Sequence, residues 1–260
     1  MQVSRAPLIE ALDLPKASSL ISIVGGGGKS ALLFALGRRL SGRVLLTTTT
    51  RIFASQIERA VAACELDSEG FSAALAGGPS GLLVIDRVAG DKAIGVSPAL
   101  PVQWLARDDV QHVVVEADGS RMRPSKAPAE HEPVIAEAST HVLVVVGIDA
   151  LDAPIAQASH RPERVCALLD LEPEARMGTS ELARLIAHPE GGLKNVSAAA
   201  RVVVVVNKVE TALQQADAAE IARALLLVPR IDRIVWGALE GSDADHWHVA
   251  CRPGPNPGQA

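Results

Sequence analysis

Short runs of β-branched and aliphatic residues recur along the chain, and most are apolar at consecutive positions. One of them, RVVVVVN, occupies residues 201–207. A strand that is apolar at consecutive positions is buried on both faces, as in a parallel sheet covered by helices. These runs predict strands at 20–24, 43–47, 82–86, 112–116, 141–147, 201–207 and 233–237.

The segments between the predicted strands have the apolar periodicity of helices. Thr179 or Ser180 can cap one of these helices, with Glu181 in its first turn. The predicted helices span 30–40, 55–63, 98–106, 179–188 and 214–226. Strands that alternate with helices predict an α/β fold of the P-loop NTPase type: a mainly parallel, doubly wound sheet in a three-layer αβα arrangement.

The length and composition favour one domain. The chain has 260 residues, of which 48% are hydrophobic, so it can fill a sizeable core. We assign residues 1–250 to this domain and residues 251–260, which are rich in Pro and Gly, to a disordered tail. The polar stretch 117–137 contains three prolines and interrupts the alternation of strands and helices. Loops of this length inside a compact domain are usually functional or disordered, and its charged residues favour function.

The remaining composition argues against several classes of partner. The net charge is −5, aromatic residues make up 2% of the chain and tyrosine is absent, so a nucleic-acid-binding surface is not indicated. The cysteines Cys64, Cys166 and Cys251 lack metal-type spacing and are typical of thiols in a reducing compartment. The sequence has neither a signal peptide nor an apolar run long enough to span a membrane. We therefore expect a soluble cytoplasmic protein with no membrane partner.

The first predicted strand is followed by four consecutive glycines: Gly25, Gly26, Gly27 and Gly28. With Lys29 and Ser30 they form a shortened version of the phosphate-binding P-loop. We expect the glycine amides and the start of the helix, including Ala31, to bind phosphate. Lys29, as an exposed loop cation, is expected to reach the β- and γ-phosphates, and Ser30 to bind Mg²⁺. The loop thus predicts ATP or GTP as substrate with Mg²⁺; the alternative is a glycine-rich turn with Lys-Ser by chance.

Threonines and an arginine follow the second predicted strand. We expect Thr48, Thr49 and Arg51 to contact the γ-phosphate or the substrate. The alternative is that these threonines only end a strand, for which threonine is well suited.

Two carboxylates follow the strand at 112–116. An acidic residue at a strand end beside a P-loop usually binds Mg²⁺ or orients the attacking group. We therefore predict that Asp118, with Ser30, holds Mg²⁺ and that Glu116 is a base or a further carboxylate at the metal. The alternative is that Asp118 only begins a turn with Gly119.

The loop that comes next, RMRPSKAPAEHEP, is rich in charge. We expect Arg121 and Lys126 to bind a small anionic substrate, and His131 to transfer a proton. The alternative is a solvated charged loop.

The run at 201–207 ends in Asn207-Lys208-Val209-Glu210. This is similar to the guanine-binding N-K-x-D motif of GTPases, with Glu210 in place of Asp. Asn207 and Lys208 are expected to contact the base and Glu210 to accept hydrogen bonds from guanine. ATP and GTP both remain open.

Four segments taken together resemble the YqeC family over about residues 20–233. They are VGGGGKS, LLTTTTRI, VVVEADGSRMRPSKAPAEHEPVI and VVGIDALDAPI. The family is associated with selenium-dependent molybdenum hydroxylases, and its members are taken to be P-loop NTPases. The resemblance implies nucleotide-dependent maturation of a selenium-containing cofactor, with a molybdenum hydroxylase or its maturation factors as partner. Met122, Ser125 and Glu210 depart from the family pattern.

The short loop also resembles that of Mur-type ligases, which use ATP to form acyl phosphates. Two alternatives follow: an ATP-dependent kinase or ligase that acts on a small anionic substrate, and a nucleotide-gated chaperone that docks on the hydroxylase.

Overall fold

The computed structural model describes residues 1–240 and 246–252. Residues 253–260 of the predicted tail lie outside the described residues, whereas Cys251 is the last residue of a strand. The strands are β1 (Val3–Ala6), β2 (Ser19–Gly25), β3 (Val44–Thr48), β4 (Arg51–Phe53), β5 (Ala62–Glu65), β6 (Leu82–Ile85), β7 (Arg87–Ala89), β8 (Lys92–Ile94), β9 (His112–Glu116), β10 (Ser125–Lys126), β11 (His141–Gly147), β12 (Ser159–His160), β13 (Arg201–Asn207), β14 (Arg233–Trp236) and β15 (Trp247–Cys251).

The α-helices are α1 (Leu8–Leu12), α2 (Lys29–Arg39), α3 (Phe71–Gly77), α4 (Leu100–Leu105), α5 (Ile155–Ala158), α6 (Pro162–Leu169), α7 (Thr179–Ala187) and α8 (Ala212–Leu225). Short 3₁₀ turns lie at Ala54–Arg59 and Ile148–Ala150. In the part of the chain that the structure describes, no helix is long and apolar enough to cross a membrane.

Within the described residues, the main sheet has ten strands in the order β1-β15-β14-β13-β11-β2-β9-β3-β6-β5. Every neighbouring pair from β14 to β5 is parallel, whereas β15 pairs antiparallel with both β14 and β1. The central strand β2 lies between β9 and β11. The chain continues from β2 to β3 on one side and later to β11 and β13 on the other. Ligands bind at this kind of switch point, outside the carboxyl ends of the strands.

Helices cover both faces of the sheet and bury its apolar runs. On one face, Ile21 and Ile23 of β2 pack against α1 and α2 in a shared cluster. On the other face, α5 to α8 pack against β11 and β13, and α4 packs against β9 and β3. The predicted three-layer α/β fold with a mostly parallel sheet is confirmed.

All seven predicted strands are present, each within one residue at either end. The predicted helices at 30–40, 98–106, 179–188 and 214–226 correspond to α2, α4, α7 and α8. The helix predicted at 55–63 is wrong: a 3₁₀ turn occupies Ala54–Arg59 and β5 follows it. Its alanines favour a helix, but pairing of Ala62 with Leu82 at the sheet edge overrides that local preference.

The polar stretch 117–137 is packed against the carboxyl edge of the sheet. Within it, β10 pairs in parallel with β12, and Lys126 and Glu132 are buried. This arrangement brings residues near position 160 next to the end of β9.

Candidate functional site

A cavity of about 1160 Å³ opens at the carboxyl ends of the central strands. The start of α2, the turn after β3 and the residues after β9 line one part of it. The turn that leads from β12 into α6 lines another part. Site residues predicted from the sequence that line this cavity are Gly28, Lys29, Ser30, Ala31, Thr49, Arg51, Glu116, Arg121, His131 and Lys208.

The first three glycines of the P-loop make room for protein backbone. Gly25 and Gly27 have φ angles of 101° and 67°, in the left-handed region that favours glycine. A β-carbon on Gly25 would lie 2.2 Å from the carbonyl oxygen of Val145, and one on Gly26 would lie 2.7 Å from that of Arg123. The glycines therefore let the loop pack closely between the segment after β9 and the end of β11.

The amides of these three glycines already have acceptors within the protein. The Gly25 amide donates to both carboxylate oxygens of Asp118 at 3.1 Å. The Gly26 amide donates to the carbonyl of Val145 at 2.8 Å, and the Gly27 amide to that of Arg123 at 3.0 Å. The prediction that Gly25, Gly26 and Gly27 bind phosphate is therefore wrong in this conformation.

The next four amides are not paired in this way. The backbone N–H groups of Gly28, Lys29, Ser30 and Ala31 have no hydrogen-bond partner among the described residues, and all four residues line the cavity. They are the unpaired donors at the N-terminus of α2, where the helix dipole also favours negative charge. This is the usual chemistry of a phosphate site.

Lys29 is buried, with only 3% of its surface exposed, although it was expected to be an exposed loop cation. Its Nζ atom donates to the carbonyl of Gly25 at 2.8 Å and to the hydroxyl of Ser120 at 3.2 Å. The same atom lies 3.7 Å from Glu116 and 3.4 Å from Asp118. Two buried carboxylates thus hold the lysine at the start of α2.

Glu116 and Ser30 form a pair of oxygen donors in the cavity. The Ser30 hydroxyl donates to Oε2 of Glu116 at 2.8 Å. Burial raises the pKa of Glu116; Lys29 and the Ser30 hydrogen bond oppose this, while the nearby Asp118 adds to it. Mg²⁺ prefers oxygen ligands and usually takes one or two from the protein, with phosphate oxygens and waters as the others. The Ser30–Glu116 pair fits that donor set. Over residues 1–240 and 246–252 no cluster of three or more His, Cys, Asp or Glu side chains is arranged to hold a metal.

Asp118 lies beneath the loop rather than in the cavity. It is 1% exposed and accepts the Gly25 amide. It also lies 3.4 Å from Nζ of Lys29 and 3.0 Å from Nζ of Lys126. Its charge is therefore used to neutralise two buried lysines, and of the two carboxylates only Glu116 lines the cavity.

Lys126 is buried too, although it was expected to bind substrate. Its Nζ atom donates to the carbonyl of Gly119 at 2.7 Å and to Glu132 at 2.8 Å. Arg161 donates to the same oxygen of Glu132 at 2.7 Å. Burial alone would raise the pKa of Glu132, but the hydrogen bonds and charges of Lys126 and Arg161 lower it to about 2. A continuous chain of ion pairs thus runs through Lys29, Asp118, Lys126, Glu132 and Arg161.

Thr48 ends β3 and is buried, whereas Thr49, which follows it, is half-buried and donates its hydroxyl to the carbonyl of Val134 at 3.0 Å. The hydroxyl of Thr48 donates to the backbone carbonyl of Glu116 at 3.0 Å, so it joins two strand ends instead of contacting a ligand. Thr49 and the exposed Arg51 line the cavity.

Arg121 and His131 are exposed and line the cavity, as expected of residues that contact a substrate. Arg121 and Met122 both have positive φ angles, 48° and 63°, at the centre of a turn. The turn is closed by a hydrogen bond from the Arg123 amide to the Ser120 carbonyl.

The Asn207-Lys208-Val209-Glu210 segment lies beside the P-loop but contributes only Lys208 to the cavity lining. The Asn207 side chain donates to the carbonyl of Gly27 at 2.8 Å and accepts the amide of Leu239 at 3.1 Å. Lys208 pairs with Asp149 at 2.6 Å. Glu210 is exposed and lies outside the cavity lining. In this conformation Asn207 supports the loop, and Glu210 is not placed to contact a base.

Sequence reasoning missed several residues of the cavity. His160, Arg161 and Glu163 lie at the turn into α6, and Phe53 and Lys92 come from the small sheet formed by β4, β8 and β7. Nζ of Lys92 lies 3.1 Å from the centre of the Phe53 ring. The sequence does contain one signal for this turn: Pro162 is favoured at the first position of a helix, and it places the start of α6 directly after Arg161.

The cavity lining is strongly cationic although the chain carries a net charge of −5. Among the residues that the structure describes, eight lysines and arginines line the cavity, against three glutamates. A cleft with such an excess of one charge attracts ligands of the opposite charge. The cavity therefore suits anionic ligands, and the residues that carry the free amides of α2 line it.

Comparison with known proteins identifies the family. Residues 21–163 match the family described as "YqeC protein". The "Uncharacterized protein YqeC" of Escherichia coli (strain K12) is 33% identical over 222 residues, covering 83% of this chain and 87% of the relative. Among solved structures, chloroplast FtsY from Physcomitrella patens aligns with a TM-score of 0.45 and 13% identity, covering 88% of this chain and 61% of that chain. By the family match and the bacterial relative, the chain belongs to the YqeC family.

Proposed function

We propose that the protein binds a nucleoside triphosphate with Mg²⁺ at the N-terminus of α2 and catalyses its hydrolysis or the transfer of its phosphoryl group. The observation that carries this proposal is the row of four unpaired amides, from Gly28 to Ala31, at the wall of a cationic cavity. Backbone donors at a helix N-terminus, together with the helix dipole, favour the binding of phosphate.

The side chains around these amides have matching roles. Lys29 lies next to the amides and can exchange its contact with Ser120 for a phosphate oxygen. Ser30 and Glu116 are the residues that would hold Mg²⁺. When bound, the ion neutralises charge on the phosphates and stabilises the charge that develops during phosphoryl transfer. Thr49 and Arg51 are within the same cavity and are candidates to contact the γ-phosphate.

The biological role that we propose is maturation of a selenium-containing cofactor of molybdenum hydroxylases. Its support is the association of the YqeC family with these enzymes, together with the family membership of this chain. A molybdenum hydroxylase or one of its maturation factors is the proposed partner.

A second candidate is an ATP-dependent kinase or ligase that acts on a small anionic substrate. The observation in its favour is that cations line the cavity beyond the nucleotide site: Arg121, Arg123 and Arg161. Phosphoryl transfer to an acidic group would need such a site next to the γ-phosphate.

Isothermal titration calorimetry with ATP and GTP, with and without Mg²⁺, tests the proposed nucleotide site. Ser30→Ala should lower Mg²⁺-dependent affinity about tenfold, because it removes one oxygen ligand of the metal and leaves the amides in place. Ser180→Ala is the matched control, because Ser180 is the second residue of α7 as Ser30 is of α2, but it lies outside the cavity. Absence of binding by either nucleotide to the wild type, or equal affinities in all three proteins, would contradict the proposal.

A further inference from the structure

We propose that the cavity contains a second oxyanion subsite, in which Arg161 binds the carboxylate or phosphate group of a small molecule. This inference rests on the proposed function, because the small molecule would lie beside the bound nucleotide. Arg121 and Arg123 supply further positive charge.

The Arg161 side chain has more hydrogen-bond donors than its contact with Glu132 uses. Its side chain is 21% exposed, and Nη1 donates to Glu132 at 2.7 Å. For its other N–H groups no acceptor is found within the described ranges 1–240 and 246–252. A guanidinium group carries five N–H donors in a planar fork that matches the two oxygens of a carboxylate or a phosphate. Arg161 lines the cavity, and its side chain has donors that are available to a ligand.

The position of Arg161 is fixed from several sides. Its carboxylate partner Glu132 is itself held by Lys126, which pairs with Asp118 below the P-loop. The Arg161 backbone has a φ angle of 61°, which is uncommon for a residue other than glycine and is found mostly where the surroundings impose it. Pro162 then begins α6 directly after it. An arginine held in this way loses little conformational freedom when it binds a ligand.

The charge around Arg161 favours an anion. Glu132 is already paired twice, so it does not cancel the free positive charge of Arg121 and Arg123. The neighbouring His160 is neutral at pH 7, because burial and the charges of Arg161 and Lys126 lower its pKa to about 4. It can therefore give or accept one hydrogen bond without repelling a bound molecule.

The size of the cavity leaves room for two ligands. Its volume of about 1160 Å³ exceeds the range of about 300–1,000 Å³ that is usual for a site with one small ligand. The amides of Gly28 to Ala31 lie at one wall, and Arg161 lies at the turn into α6.

Guanidinium NMR signals test the subsite directly. Protein labelled with ¹⁵N-arginine is titrated with inorganic phosphate and, separately, with succinate. Both titrations are run with and without Mg²⁺ and a non-hydrolysable ATP analogue. The Nε–H signal of Arg161 is identified by its absence from the spectrum of Arg161→Lys. We expect this signal to shift saturably with at least one of the two probes, whether or not the nucleotide analogue is present.

Arg161→Gln should raise the dissociation constant of that probe at least tenfold, as followed on the signals of Arg121 and Arg123. Arg161→Lys keeps a cation next to Glu132 but lacks the planar guanidinium group, so it should also weaken binding of the probe. This variant replaces Arg161→Gln in the test if the Gln variant does not fold. Arg201→Gln is the matched control: Arg201 also pairs with a carboxylate, Asp13, but lies at the amino end of β13. A wild-type dissociation constant in both Arg161 variants, or an Arg161 signal that neither probe moves, would overturn the proposal.

The two proposals fail in distinguishable ways. If the Arg161 signal shifts but no nucleotide binds, the subsite stands and the proposed nucleotide function fails. If the nucleotide binds and the Arg161 signal stays in place with both probes, the subsite fails and the nucleotide function stands.

Discussion

Exchanging Asp118 for Asn and Glu116 for Gln should damage the protein in two different ways. Asp118 is 1% exposed and provides the negative charge next to two lysine side chains that are each 2% exposed, Lys29 and Lys126. Breaking a buried ion pair costs about 3–5 kcal/mol. Here the exchange leaves one positive charge in excess, because Lys29, Lys126 and Arg161 then share only Glu116 and Glu132. For a domain of this size, that loss corresponds to a decrease in melting temperature of about 6–20 °C.

Glu116→Gln should cost about 1 kcal/mol or less of stability. Burial already raises the pKa of Glu116, so a neutral side chain of the same shape suits its surroundings, and Lys29 keeps its partner Asp118. The glutamine oxygen can still accept the hydroxyl of Ser30. What is lost is the negative charge at the proposed Mg²⁺ site. Mg²⁺-dependent nucleotide affinity should therefore fall at least tenfold, or about 1.4 kcal/mol.

The assay combines thermal unfolding of the free proteins with calorimetric titration of the nucleotide, with and without Mg²⁺. The expected pattern is a less stable Asp118→Asn protein and a stable Glu116→Gln protein that has lost its Mg²⁺ dependence. The reverse pattern would refute the reasoning. In that case Asp118→Asn would unfold at the wild-type temperature but bind without regard to Mg²⁺, and Glu116→Gln would respond to Mg²⁺ normally.

Three further predictions follow from named contacts. Lys29→Met should both abolish turnover and lower stability by about 3–5 kcal/mol in urea unfolding, because it leaves the buried Glu116 without its cation and Asp118 with Lys126 alone. A mutant with wild-type stability would contradict this. Asn207→Ala should weaken ATP and GTP binding by the same factor, since its amide holds the Gly27 carbonyl, whereas Glu210→Ala should change neither affinity; a selective loss of GTP binding in competition experiments would show base recognition instead. The pKa of Glu132 is about 2 in the folded protein, below its ordinary value of 4.5. Its ionised form therefore stabilises the fold fully above about pH 4.5, and this stabilisation is lost as the pH falls towards 2. Glu132→Gln should therefore flatten the decline of the urea midpoint below pH 4.5, while the exposed Glu130→Gln should follow the wild type.

The sequence predicts the centre of the sheet well, because those strands are buried on both faces and their apolar runs are continuous. It misses β1 for the opposite reason. β1, with the sequence VSRA, is almost entirely exposed, so it has no apolar pattern to reveal it. β5, with the sequence AACE, has little preference for a strand and forms one only because β6 lies alongside.

The P-loop is also evident from the sequence, but the contacts that its individual residues make are not. Glu116 and Asp118 are two residues apart, and only the path of the following segment decides that Asp118 lies beneath the loop with Lys126. The same holds for the glycines, whose amides are taken by Val145 and Arg123 from other parts of the chain. Arg161 reaches the site because β12 pairs with β10, a contact between short strands that no local pattern indicates.

The central claim is that the α2 N-terminus binds the phosphates of a nucleotide. A crystal structure of the protein with Mg²⁺ and a non-hydrolysable analogue of ATP or GTP tests it most directly. The account predicts phosphate oxygens within hydrogen-bond distance of the amides of Gly28 to Ala31, with the metal ion in contact with the Ser30 hydroxyl. Phosphates bound elsewhere in the cavity, or at the amides of Gly25 to Gly27, would contradict it.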